Sequence, residues 1–241
     1  MVGGRASRSA SAFIARISPS EKKLCVHNQF MGTYVGFDPG GIGNFGWAVV
    51  SGKSYPLRLV GRGTSDHANG AFDAAVDRVG SARINAVGID APLFWRPAGD
   101  RRADQMVRNA VTLLGAPGGT VSSVNSLRGA CLIQGILVAM MCQQRAGNSI
   151  PITESHPKAL LWLVGKATPE HHPAHVALSD LTEYVVRDSF SEASEHERDA
   201  SLGATAAFAM ESRFGEWRNL YALEPKPITP LNPPPAYWMP L

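Results

Sequence analysis

Ile84-Asn85-Ala86-Val87-Gly88-Ile89-Asp90-Ala91-Pro92 is the stretch on which the fold turns. Apart from Asn85 its first six residues are apolar or glycine, without the alternation of a half-exposed strand, which marks a central strand covered on both faces. It ends on an acid, and Pro92 then denies the ladder a donor. Upstream, residues 33–38, 46–51 and 57–62 are short β-rich runs separated by Gly-rich and Gly/Lys/Ser turns, the pattern of an antiparallel meander. Between meander and central strand, residues 66–79 carry Phe72, Ala75, Val76 and Val79 at helical spacing, with Ser65 or Asp66 as cap. Downstream, helices are expected over 103–114 and 130–145 around a Gly/Ser loop at 115–129. A short strand follows at 150–154, then helices near 157–164, 175–188 and 195–214. Strands that alternate with helices after an antiparallel start, with no internal repeat, predict one α/β domain with a mixed sheet.

The 241 residues suffice for a core without staples, and 18% charged residues argue against disorder across most of the chain. The longest apolar stretch, residues 131–142, is interrupted by Gln134 and too short to cross a bilayer, so no membrane span is expected. Cys25, Cys131 and Cys142 cannot all pair internally, and the last two sit in that apolar run. They read as buried thiols of a reducing compartment, hence a cytoplasmic chain.

Charge is unevenly spread. Residues 1–30 hold Arg5, Arg8, Arg16, Lys22 and Lys23 against Glu21 alone, leaving 18 basic and 19 acidic residues in the remainder. The body therefore offers no bulk electrostatic case for nucleic acid, which would have to bind through a local patch. The leader has the composition of an organelle presequence or a basic disordered arm. Met31, directly before the first strand, also fits an original start with an upstream extension ahead of it. The expected organisation is an arm at 1–30, a domain at 31–220 and a Pro-rich tail at 221–241. With seven prolines after residue 224, that tail is expected to run extended over the surface, docked by Tyr237 and Trp238.

Three acids stand where strands run out: Asp38, Asp90 and Glu154. Carboxylates are poor strand residues and costly to bury unpaired, and neighbouring strand ends would bring them close enough to demand a cation. A fourth, Asp199, lies on a helix whose face continues with Gly203, Ala206, Ala207 and Met210, small enough to press that helix against the sheet and aim Asp199 at the same cluster. All-oxygen ligation suits Mg²⁺ or Mn²⁺, and two such ions promote phosphodiester hydrolysis. Taken singly, each acid also fits an Asx-turn or helix cap, Asp38 before Pro39-Gly40-Gly41 most of all.

Six segments in order carry a resemblance: Tyr34-Val35-Gly36-Phe37-Asp38, Gly46-Trp47-Ala48-Val49-Val50, Ala86-Val87-Gly88-Ile89-Asp90-Ala91-Pro92-Leu93, Arg102-Ala103-Asp104 with Arg108, Thr153-Glu154-Ser155-His156-Pro157 and Arg198-Asp199-Ala200. Over roughly residues 33–214 the chain resembles an uncharacterised DUF-type family of predicted ribonuclease H-like nucleases. The resemblance implies a five-stranded mixed sheet with flanking helices, strands one to three antiparallel and strands four and five parallel to strand one. It implies metal ligation by Asp38, Asp90 and Asp199, with Glu154 beside the site, and cleavage of DNA or RNA. The chain departs from the ribonuclease H enzymes proper on the first helix, where Asp73 and Asp77 match no motif for a further ligand.

Arg102 and Arg108 follow the Asp90 strand end and are candidate phosphate contacts, although Asp104 and Arg108 also have the spacing of a helical ion pair. His156, two residues beyond Glu154, suits carboxylate orientation or proton transfer. His171 and His175 are four apart without a third ligand, so no zinc site is expected there. His196 and Glu195 share the first turn of the Asp199 helix, Glu195 as a reserve ligand. Two other readings stay open: an inactive binding module of the same fold, and a nucleotide-dependent phosphotransferase, for which a single such body supplies only half the usual clamp.

Overall fold

The computed structural model describes residues 31–96, 100–122, 129–145, 149–165, 173, 178–213 and 217–241. The basic leader with Cys25, and His171, His172 and His175, lie outside the described residues. Strands β1 (Gly32–Asp38), β2 (Phe45–Gly52) and β3 (Leu57–Ser65) form the antiparallel meander, and β4 (Ile84–Ile89) and β5 (Ile152–Glu154) extend it in parallel beyond β1. The central order is thus β3-β2-β1-β4-β5, with β1 in the middle.

Among the described residues the sheet has eight strands where five were expected. β6 (Val186–Arg187) adds to the β3 edge, in a stretch read from sequence as helix. Among the described residues the helix there is Leu178–Glu183; Tyr184 and Val185 then form a turn, and Val186 and Arg187 are extended, with the Val185 carbonyl accepting from the Leu57 amide. On the other edge β8 (Ala236–Met239) pairs with β5 and with β7 (Arg218–Asn219). The Pro-rich segment therefore ends inside the sheet instead of lying over it. Its prolines all fall outside residues 236–239, so those four keep the amides that a ladder requires. Tyr237 and Met239 are fully buried there.

Among the described residues six α-helices flank the sheet: α1 (Ala68–Val79), α2 (Arg102–Leu113), α3 (Gly129–Arg145), α4 (Pro157–Gly165), α5 (Leu178–Glu183) and α6 (Glu195–Ser212). Successive residues of β1 and β4 point to opposite faces, and both faces are covered. Tyr34 and Ala86 join the cluster under α6, while Val35 and Val87 join the cluster under α1 and α3. α1 is capped not by Ser65 or Asp66 but by His67, whose Nδ1 accepts from the Gly70 amide at 3.2 Å. Asp66 instead accepts from the Gly43 amide in the β1–β2 turn.

α6 positions the site. A Ser194/Glu197 capping box starts it, and every residue from Asp199 to Ala209 is buried. It lies so near the strands that a Cβ at Gly36 would fall 1.7 Å from the Ala200 carbonyl oxygen, and one at Gly88 would fall 1.9 Å from that of Gly203. Only glycine in the strands permits that approach. Among the described residues no helix is long and apolar enough to cross a membrane.

Candidate metal centre

β1 and β4 end side by side, the Asp90 amide donating to the Phe37 carbonyl at 2.9 Å. Asp38 closes β1, Asp90 follows β4, and both line a cleft of about 230 Å³ with Thr120, Cys131, His156 and Lys158. A larger cavity, about 470 Å³, opens at the far end of the sheet, and among the described residues its lining has no carboxylate, so size does not mark the chemistry.

Burial drives the Asp90 carboxyl well above the usual carboxylate range, and the charges of Asp38 and Asp199 push it further. Asp199, 3% exposed, is pushed up to about 6 by burial, against the pull of Arg198, with a smaller upward push from Asp38. Asp38 is raised by burial, against the pull of His196, whose Nδ1 lies 2.5 Å from its Oδ2. These three carboxylates thus form one electrostatic unit whose ionised form is disfavoured by burial and mutual repulsion. His196 is raised above its ordinary value chiefly by the bond to Asp38. Cys131, whose thiol faces the Asp90 carbonyl oxygen at 3.9 Å, is pushed up to about 12 by burial and by Asp90, and so stays protonated.

Glu154 sits apart from this unit in a buried network. Its carboxylate accepts from the Leu93 amide at 3.0 Å, from Arg101 Nη1 and Nη2 at 2.9 and 2.6 Å, and meets His156 Nε2 at 3.2 Å. Arg101, fully buried, completes its fork on Asp104 with bonds of 2.7 Å from Nε and Nη2, and on the Phe94 carbonyl. Burial works to raise Glu154, but Arg101 and His156 outweigh it and hold the carboxyl below its ordinary value. Asp104, Glu154 and His156 bring one ligand atom each within 4.8 Å, the spacing of a metal site. The Arg101 guanidinium already supplies the cation between those carboxylates.

Neither candidate phosphate-binding arginine is simply poised over the cleft. Arg102 is exposed on α2. Arg108 is bonded to Asp100 at 2.5 Å and to the Val121 carbonyl at 2.8 Å, fixing the loop that carries Thr120. The helical pair expected between Asp104 and Arg108 does not form, because Asp104 turns into the core toward Arg101. Glu195 is ion-paired with Lys158. Lys158 was not singled out in the sequence, although the helix expected from 157 already placed it in a first turn directly after the Glu154 strand end.

No family model matches the chain, and no curated protein does. Among solved structures it is similar to Thermus thermophilus RuvC in complex with Holliday junction substrate, at 15% identity and a TM-score of 0.44, covering 76% of this chain and 96% of that one. A further RuvC structure from the same organism gives 15% identity, a TM-score of 0.42 and coverage of 74% and 95%.

Proposed function

We propose that the protein is a metal-dependent nuclease that hydrolyses phosphodiester bonds of DNA or RNA, with Asp38, Asp90 and Asp199 holding Mg²⁺ or Mn²⁺. The observation that carries this reading is the electrostatic coupling of three buried carboxylates, Asp38 and Asp90 at adjacent strand ends lining one cleft and Asp199 on the helix pressed against those strands. An all-oxygen donor set whose ionised state is disfavoured by burial fits a hard divalent cation. Ions bound there would neutralise the acids, activate water and stabilise the leaving oxygen.

The remaining residues have separate tasks. Glu154, engaged by Arg101 and Leu93, orients His156 through Nε2, and His156 lines the cleft as the residue for proton exchange. Arg108 holds the facing loop, and Arg102 remains available to a backbone phosphate. The inactive binding module draws support from one feature: Asp38 and Asp199 already have side-chain partners in His196 and Arg198.

Labelled single-stranded and duplex DNA, RNA and hybrid, incubated with Mn²⁺, Mg²⁺ or chelator, separate the readings. Cleavage that needs metal and vanishes in Asp90→Asn is expected. Metal-independent binding without cleavage would favour the module.

A further inference from the structure

Lys158 is the second residue of α4; it lines the cleft and is ion-paired with Glu195 on the first turn of α6. Glu195 lies four residues before Asp199, on the same side of that helix. Both partners stand half in solvent, at 48% and 54% exposure, so the pair is weak, screened and easily exchanged. The ammonium acts electrostatically on Asp38, Asp90 and Asp199 together. Burial works to lower its proton affinity, but Glu195, Asp199 and Asp90 outweigh this, so it stays charged. A flexible point charge at the start of a helix, beside three acids, is the arrangement that receives a phosphate once the acids are neutralised.

We propose that Lys158 is the phosphate-binding residue of the cleft, parked on Glu195 in the free protein and transferred to a phosphate oxygen of the substrate on binding. This rests on the nuclease reading and names a residue for its substrate.

The test uses the full chain with Lys158→Gln, Lys158→Arg and Glu195→Gln. Calorimetry reads Mn²⁺ binding without substrate, anisotropy reads a fluorescein-labelled oligonucleotide in Ca²⁺, and turnover is measured in Mn²⁺. K158Q is expected to lower kcat/KM about 100-fold, to reduce the salt slope of oligonucleotide binding by about one, and to bind Mn²⁺ severalfold more tightly because a cation has left the acids. K158R should keep most of the oligonucleotide affinity, and E195Q should raise it. If K158Q keeps kcat/KM and oligonucleotide affinity within about twofold of the parent, the Lys158 assignment falls and the nuclease reading stands. If K158Q loses Mn²⁺ binding along with turnover, Lys158 is a structural partner of α6 and the assignment also falls. A parent protein that neither binds Mn²⁺ nor cleaves overturns both.

Discussion

At Asp199 burial sets the chemistry. Its carboxyl titrates near 6, above the ordinary 3.8, so it contributes full stability only below about pH 4 and loses that contribution as pH rises through 6. In chelator, Asp199→Asn should match the parent near pH 4 and exceed it by about 3 kcal/mol at pH 7. Urea melts at four pH values read this directly, and a difference independent of pH would remove Asp199 from the cluster. Arg101 is the opposite case, a charge whose five donors are all answered by Asp104, Glu154 and Phe94. Arg101→Met strands two buried carboxylates and should cost about 3–5 kcal/mol. Pairing it with Glu154→Gln should recover part of that loss. If the double variant melts no higher than the single one, the network is not what Arg101 stabilises.

The element that decides the site is α6, because its distance from β1 and β4 sets where Asp199 stands. Gly36 and Gly88 leave the space, and the atoms they would otherwise strike are backbone carbonyl oxygens that cannot rotate away. Gly88→Ala should therefore lift the helix, at a cost of about 3 kcal/mol. Calorimetry should show Mn²⁺ affinity falling with it, since Asp199 rides on α6 while Asp38 and Asp90 stay on the sheet. Unchanged Mn²⁺ affinity in a destabilised Gly88→Ala protein would take Asp199 out of the ligand set. β8 has a comparable role on the other side. Its Tyr237 ring stacks on His156 at 5.4 Å between centroids and lies beneath Arg101, so the Pro-rich segment supports the wall of the cleft.

For the whole molecule, charge and chemistry are separated along the chain. The five basic residues within 1–30 precede a body of 18 bases and 19 acids that carries the acid cleft. A chain starting at Met31 should fold and turn over at the same rate when saturated. Its nucleic-acid binding should be weaker, with the salt slope reduced by up to about 4. Titrations at two salt concentrations measure the slope, and loss of turnover at saturation would place the leader within the site.

Local chemistry is legible in the sequence because its causes are near neighbours. The apolar run ending at Asp90, the Gly-punctuated meander and the small-residue face after Asp199 each state their element and place an acid at its end. The antiparallel run of β1 to β3 follows from the same signals, whereas β4 and β5 parallel to β1 are implied only by the resemblance to ribonuclease H-like nucleases. Partner choice follows from neither, since it depends on where distant segments cross. Arg101 could have faced solvent beside Arg102, but the path of β5 brings in Glu154, 53 residues away, and the β1 end meets His196 across 158 residues. The same holds for the tail, whose prolines predict extension but not the open edge of β5. Extended backbone is a local property, whereas an unpaired edge to receive it exists only once the sheet has formed.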